Sequence, residues 1–350
     1  MRRPVFRTPT ETARELFARS PSFELASTTP DGRPVLRTLH GVVLDGALAF
    51  HGAPTGEKLE IVGREAVVAV HEVIAALPSY FTDPERACPA TTLYESAQAH
   101  GVVTQVTEPT RKAAVLQALM TKLQPEGGHA PITADDPRYT PAVRGILILE
   151  VRLDEIDGKA KLLQHKGPAS RDAIVAALWR RGEPDDALAI ERVLAVGDAA
   201  QRPAFLRGPA DTTLHVALAP GDAAQAADLL ADAYWNDIFD HDDLVGAHEG
   251  ATAWVGAKQG GALVASARAI SDGHKHAWIY DVVVRKDQRG RGLGHAVVRL
   301  LLDHPRVRRA KRVHLGTRDR TAFYAAMGFV ETSTVTRPYR SIDMVLARPR

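Results

Sequence analysis

The sequence predicts two domains: a mainly-β N-terminal domain built as a closed or partly closed barrel, and a C-terminal α/β (α+β) domain. The 350 residues exceed one domain of ordinary size. Short apolar runs separated by turn residues fill most of the first 160 residues, whereas strands and amphipathic helices alternate after residue 213. A stretch rich in Gly, Pro and small polar residues separates the two patterns. We therefore expect domains at 1–196 and 214–350, joined by a linker at 197–213.

Composition excludes several classes of protein. The 44 Lys and Arg nearly balance the 42 Asp and Glu, so no global charge points to nucleic acid. No apolar run approaches the roughly 20 residues of a membrane span, and no signal peptide is evident. The single cysteine, Cys88, excludes an internal disulfide and a CxxC metal site, and we expect it to be a small buried side chain. We expect a cytoplasmic protein that binds no nucleic acid, membrane or metal.

Turn residues in the first domain separate its predicted strands and helices. The predicted strands are 23–28, 35–43, 48–50, 66–72, 97–107 and 146–153. Asp45-Gly46 is a two-residue hairpin signal between the second and third of them. A helix is expected at 110–122 with Thr110 as its N-cap, and two more at 170–181 and 185–196, the first ending at Gly182.

The second domain begins with a strand at 214–218 and an alanine-rich helix at 223–234. Strands are predicted at 251–258, 262–270 and 278–284, followed by a helix at 292–302. This order indicates a sheet covered by helices.

The most specific motif is a glycine-rich turn between the last of these strands and the last helix. Gly290, Gly292 and Gly294 omit side chains where backbone N–H groups must converge, and the helix N-terminus adds a positive dipole end. Together they predict an anion site suited to a pyrophosphate. The alternating glycines do not fit the GxGxxG of a Rossmann turn, and no Gly-Lys-Ser/Thr of a P-loop follows.

Local charge supports this interpretation. Residues 285–320 hold twelve Lys or Arg against three Asp, a local charge of +9. A polyanionic cofactor would suit such a patch. The alternative is a solvated basic face with no ligand.

Arg289, Gly292 and Gly294 closely resemble the Arg-x-x-Gly-x-Gly turn of the GNAT N-acetyltransferase family, and Phe323-Tyr324 with Gly328-Phe329 resembles the late helix of that family. The resemblance covers about residues 214–344 and implies a mixed sheet with acetyl-CoA between two splayed strands. The residues it assigns to acetyl-CoA are Val282, Val283, Val284, Arg289, Gly290, Arg291, Gly292, Leu293 and Gly294.

The same resemblance implies the catalytic residues. Tyr324 matches the tyrosine that protonates the leaving thiolate, the alternative being a tyrosine packed in the core. Asp281 is polar on an apolar strand and is either a general base toward a small-molecule amine or the partner of a nearby arginine. The segment 233–239 should face the acceptor, and its aromatic residues either line a pocket or fill the core.

A second, weaker anion signal lies in the first domain, where the sequence 50–59 closes a strand and places Lys58 at the start of a short helix. In order with Arg37-Thr38-Leu39 and the segment 88–96, it resembles the FMN-binding split barrel of the pyridoxamine 5'-phosphate oxidase superfamily, nearest to its nitroimidazole-resistance (NimA-type) branch. The residues that the resemblance assigns to FMN are Arg37, Thr38, Leu39, His51, Lys58 and Ser96.

This second resemblance also implies a homodimer, because split barrels form the FMN site between two protomers. Ser96 could then contact flavin from the partner subunit. Glu57 stands before Lys58, where the oxidases carry arginine, which argues against pyridoxamine phosphate as substrate. Haem bound by a histidine is the alternative ligand; the candidates are His40, His51, His71 and His100.

The sequence thus predicts an acetyl-CoA-dependent N-acetyltransferase fused to an FMN-dependent oxidoreductase-like domain. One alternative is a flavin- or haem-binding sensor with a weakly active CoA-binding domain. Another is a resistance protein whose barrel reduces nitro-aromatic compounds.

Overall fold

The computed structural model describes residues 4–196 and 202–335, which fall in two compact units, unit 1 (Met1–Gln201) and unit 2 (Arg202–Arg350). Residues 197–201 of the predicted linker and residues 336–350 of the predicted second domain lie outside the described residues. Among the residues described, no helix is both long and apolar enough to span a bilayer, and no group of three or more His, Cys, Asp or Glu could hold a metal ion.

Unit 1 consists of nine strands and five α-helices in the described residues. In chain order they are β1 (Arg7–Thr8), α1 (Thr10–Arg19), β2 (Phe23–Thr28), β3 (Pro34–Leu39), β4 (Val42–Leu44), β5 (Ala47–Gly52), β6 (Glu65–Leu77), β7 (Thr91–Val106), α2 (Pro109–Leu123), α3 (Thr140–Gly145), β8 (Leu147–Arg152), β9 (Glu155–Lys161), α4 (Pro168–Arg181) and α5 (Asp186–Ala195).

The nine strands of unit 1 form one sheet in the order β3-β2-β6-β7-β8-β5-β4, and β9 pairs with β1 and β7. β7 pairs with β6 along one edge and with β9 and then β8 along the other. The sheet is not closed, since β3 and β4 stand at opposite ends of the path. It wraps as a split barrel around a core that includes Phe17, Leu25 and Phe50, each at most 2% exposed.

Two turns of unit 1 follow their predicted chemistry. Asp45 and Gly46 join β4 to β5 with φ of 50° and 74°, the left-handed pair that a tight hairpin of this length requires. Gly182 ends α4 in the left-handed conformation.

Unit 2 is a five-stranded mixed sheet with helices. Its elements are β10 (Thr213–His215), α6 (Asp222–Leu230), α7 (His241–Glu249), β11 (Ala253–Gln259), β12 (Ala262–Ser271), β13 (His276–Val284), α8 (Leu293–Asp303), β14 (Arg312–His314) and α9 (Thr321–Ala325). The strands run in the order β10-β11-β12-β13-β14, all antiparallel except the β13–β14 pair, which is parallel. The predicted fold class is confirmed for both units.

Several sequence expectations about these elements were wrong. The predicted strand 35–43 breaks into β3 and β4 at Gly41, where a Cβ would lie 2.6 Å from the carbonyl oxygen of Ala49. Glu108, and not Thr110, is the N-cap of α2, because its carboxylate accepts from the first free amides of that helix. Cys88 is exposed in the loop before β7.

In unit 2, the alanine-rich helix ends at Leu230 instead of residue 234. Turns closed by hydrogen bonds between residues three apart follow the helix: Ala233 N donates to Leu230 O, and Asn236 N donates to Ala233 O. Helix α7 was not predicted, although Asp240 and Asp243 form a capping box at its start.

Candidate functional site

The glycine-rich turn of unit 2 is built from backbone. Gly290 and Gly292 have φ of 77° and 85°, which L side chains rarely adopt, and Gly292 is the N-cap of α8. Gly294 is needed for another reason: a Cβ there would lie 3.3 Å from the ring of Phe323. The backbone conformation therefore requires the first two glycines, and the close contact with Phe323 requires the third.

The start of α8 offers free donors. The N–H of Ala296 donates to the carbonyl of Gly292 at 3.0 Å, which is the first bond of the helix. The amides of Leu293, Gly294 and His295 precede that bond and stand at the positive end of the helix dipole. They can receive the oxygens of a diphosphate.

Strands β13 and β14 separate next to this turn. They pair only through residues 276–278 and 312–314, so the second half of β13 has no partner on that edge among the described residues. The pairing of β12 with β13 also shifts register there, at Asp281, whose φ is 52°. This bulge and the separation open a cleft of about 1770 Å³.

Most of the site residues predicted in unit 2 line this cleft. Every residue assigned to acetyl-CoA lines it except Arg291, whose guanidinium instead donates to Gln288 Oε1 at 3.2 Å. Arg289 is fixed by a 3.1 Å bond from its Nε to the carbonyl of Val284. Tyr324 and Asp281 line the same cleft.

Asp281 is buried and held from two sides. Its Oδ2 accepts from Arg268 Nε at 2.5 Å, and its Oδ1 accepts from Trp235 Nε1 at 3.1 Å. The arginine pairing that we considered for this carboxylate is therefore present. Each oxygen retains a lone pair, so the pairing does not by itself remove a role toward an amine.

Tyr324 stands among aromatic rings. Its ring contacts Phe323 and Phe329 edge to face, with centroids 4.9 and 5.8 Å away. Burial, and then the nearby Tyr234, raise the pKa of its phenol above the usual 10. The hydroxyl therefore keeps its proton at neutral pH, as a group that donates a proton must.

His248 of α7 is a residue that the sequence analysis missed. It is fully buried, its Nδ1 lies 2.8 Å from the carbonyl of Leu244, and its Nε2 has no hydrogen-bond partner in the described residues. Burial lowers its pKa, while the charge of Asp281 opposes that shift. Only the capping box at the start of α7 could have indicated a helix here.

In unit 1, three of the residues assigned to flavin converge. Lys58 Nζ lies 3.3 Å from the carbonyl of His51, and the His51 and His40 Nε2 atoms lie 3.2 Å apart. Arg37 pairs with Glu57, the residue before Lys58. Burial, followed by the charges of His40 and Lys58, lowers the pKa of His51.

The cations of this group differ in what they can offer. Lys58 meets only a main-chain carbonyl among the described residues, so its charge is available to a phosphate. The charge of Arg37 is neutralised in part by Glu57. Thr38 and Leu39 follow on β3, an edge strand beside this group.

Comparison with known proteins assigns both units. Residues 9–160 match the family model "Pyridoxamine 5'-phosphate oxidase", and residues 223–329 match the model "Acetyltransferase (GNAT) family". Residues 9–160 thus form a pyridoxamine 5'-phosphate oxidase-like domain, and residues 223–329 a GNAT acetyltransferase domain.

Individual relatives match one domain at a time. Glucosamine 6-phosphate N-acetyltransferase 1 of rice (Oryza sativa subsp. japonica) is 50% identical over 54 residues, which is 15% of this chain and 33% of the relative. The match thus spans about a third of that curated protein.

Two solved structures cover the two halves. The FAD and heme binding protein of Mycobacterium smegmatis is 19% identical, with a TM-score of 0.37, over 44% of this chain and 72% of that one. A GNAT family acetyltransferase of Streptococcus pneumoniae is 20% identical, with a TM-score of 0.32, over 39% of this chain and 98% of that one.

Within the oxidase-like domain, Ser96 does not join the other residues assigned to flavin. It lies on β7, opposite His71 of β6 and Lys159 of β9, and so three strands away from Arg37 on the path β3-β2-β6-β7. Of the histidines considered for haem, the structure brings together only His40 and His51, whereas His71 and His100 lie on β6 and β7.

Proposed function

We propose that the GNAT domain transfers an acetyl group from acetyl-CoA to the nitrogen of a small-molecule amine by direct attack. One observation carries this proposal: the glycine-rich turn opens into a cleft whose walls also hold Tyr324 and Asp281. Acetyl-CoA would supply the acetyl group as a thioester. The free amides at the start of α8 would hold its diphosphate.

The residues of the cleft would then divide the proton transfers. As the amine nitrogen bonds to the carbonyl carbon and the C–S bond breaks, Tyr324 gives its proton to the sulfur. The proton lost by the nitrogen passes to a remaining lone pair of Asp281, directly or through water. Arg268 and Trp235 hold that carboxylate in place.

The acceptor side of the cleft favours an amine with an apolar body. Tyr234, Trp235 and Phe239 line it and are 41%, 42% and 50% exposed. Burying such rings against the apolar part of a ligand is favourable.

The test is release of CoA thiol from acetyl-CoA with a panel of aliphatic and aromatic amines. Turnover with an amine supports the transferase. Acetyl-CoA binding alongside a silent panel would favour the alternative, a sensor that binds CoA without turnover.

For the oxidase-like domain we propose FMN as the ligand, with Lys58 on its phosphate and with Arg37, Thr38, Leu39 and His51 beside it, in support of redox chemistry on a small molecule. The convergence of Lys58, His51 and Arg37 supports this assignment. The visible spectrum of the purified protein tests it: two flavin bands support FMN, whereas a Soret band would favour haem on the His40–His51 pair. Nitro-aromatic reduction with a reduced nicotinamide donor tests the resistance alternative.

We also propose that the protein forms a homodimer through the outer face of the split barrel. Strand register places Leu36, Val73 and Ser96 on that face, and the first two are 64% and 63% exposed. A partner covering this face would bring its flavin residues toward Ser96. Light scattering should show a dimer that L36D/V73D converts to a monomer, while E85K, on an exposed loop, leaves the dimer intact; a monomeric parent protein would contradict the proposal.

A further inference from the structure

A second cavity of about 530 Å³ lies in unit 1, and it includes none of the residues assigned to flavin. Its wall is formed by the end of β9, by the turn that follows, and by the loop before β7. Three lysines line it: Lys159, Lys161 and Lys166.

The backbone places these lysines around one space. Lys159 and Lys161 are two apart on β9, so their side chains leave the same face of the strand. Leu163 then adopts a φ of 67°, rare for a side chain of its size. The N–H of Lys166 donates to the carbonyl of Leu163 at 2.9 Å, and this tight turn returns Lys166 to the cavity.

The lysines have no acidic partner within the ranges 4–196 and 202–335. Lys161 donates to the hydroxyl of Thr91, and Lys159 lies 5.1 Å from the centroid of the Tyr94 ring. All three are partly buried. An anion bound in this cavity would be attracted by all three ammonium groups.

We propose that this cavity binds the phosphate group of a small organic phosphate. A phosphate dianion suits three ammonium groups better than a carboxylate does, because it carries more charge. Each ammonium group can donate to a different phosphate oxygen. The organic part would lie against Phe6 and His165, whose rings meet edge to face at 5.2 Å in the same wall. The volume lies within the range of small-molecule pockets.

Cys88 provides a direct measurement, because it is the one cysteine of the chain, it is exposed, and it lines this cavity. We would titrate phenyl phosphate against the rate at which iodoacetamide alkylates Cys88 in the full chain, at constant ionic strength. Saturable protection is expected, with phenyl phosphate binding more tightly than inorganic phosphate or benzoate.

Lysine variants inside and outside the cavity distinguish binding at this site from a general effect of charge on phenyl phosphate affinity. K161M and K166M should each weaken phenyl phosphate about tenfold, since each removes one charged donor. K275M, which removes an exposed lysine of unit 2, should leave the affinity unchanged. Far-UV circular dichroism and thermal unfolding of each variant establish that it is folded.

Two results would overturn the proposal: the absence of saturable protection in the parent protein, and an equal loss of affinity in K275M. Protection by FMN but not by riboflavin, lost in K161M and retained in K58M, would identify FMN as the organic phosphate of this cavity and would contradict the assignment of the flavin phosphate to Lys58.

Discussion

The two sites that we propose for the cofactors are built in different ways. The site in the GNAT domain uses consecutive backbone amides at the start of α8 and depends on three glycines within five residues. The site around Lys58 uses side chains from β3, β5 and the turn after β5, and one of its two cations is paired with Glu57. A backbone site depends on chain conformation, whereas a side-chain site depends on the balance of nearby charges.

The largest effect should come from the conformation of the turn. Gly292→Val places a β-branched residue at a φ of 85°, so the N-terminus of α8 must move. We expect acetyl-CoA affinity to fall at least a hundredfold by calorimetry. Gly273→Val is the matched control, with a φ of 75° in a hairpin of the same unit and open space around it; affinity retained in Gly292→Val would contradict our assignment of the turn.

Unit 2 should lose stability in mild acid, because it buries a histidine at the end of α8. Burial lowers the pKa of His304, at the end of α8, to about 4. Since the folded pKa lies below the usual 6.5, the unfolded chain takes up the proton first, and stability is lost as pH falls from 6.5 toward 4. The loss should reach roughly 3 kcal/mol, measured by denaturant unfolding of unit 2 between pH 7 and pH 4.5; His304→Asn should flatten that slope, and an unchanged slope would refute the assignment.

Removal of the phenol tests the chemistry of the cleft. Tyr324→Phe keeps the ring contacts with Phe323 and Phe329 but removes the proton donor, so kcat should fall about a hundredfold with little change in KM for acetyl-CoA. Tyr80→Phe, exposed in unit 1, controls for loss of a hydroxyl. If Tyr324→Phe retains full kcat at every pH, Tyr324 has only a packing role.

The smallest effects should separate the two cations of the site that we propose for FMN. Lys58→Met should weaken FMN about tenfold, whereas Arg37→Met, which removes an already paired charge, should weaken it less. Glu57→Gln should strengthen FMN a few-fold, because it releases Arg37. Absorbance titration with FMN measures all three; weaker binding in Glu57→Gln would show that Glu57 supports the site.

Whether a site is built from one contiguous segment or from several decides how much of it the sequence could predict. Strand β13, the turn and α8 are contiguous, so their spacing alone indicated a phosphate-binding turn. The Asp281–Arg268–Trp235 contacts join three separate segments, and no local pattern specifies which arginine reaches Asp281.

The remaining discrepancies have a similar origin. The break between β3 and β4 depends on the close approach of Gly41 to Ala49, a contact between neighbouring strands. Strand β14 has only three residues and forms by pairing with β13, so its own sequence is too short to indicate a strand. Exposure of Cys88 likewise depends on where its loop lies.

Strand β7 pairs with neighbours on both of its edges, and this pairing should decide which part of the oxidase-like domain opens last. Its amides bond to β6 on one edge and to β9 and β8 on the other, so they should be the last to exchange with deuterium. β3 lies at the end of the sheet and bonds only to β2 among the described strands, so its outer edge should exchange early. Arg37, Thr38 and Leu39 lie on that edge strand. Slower amide exchange there after loading with FMN would show that the bound ligand stabilises the strand against local opening.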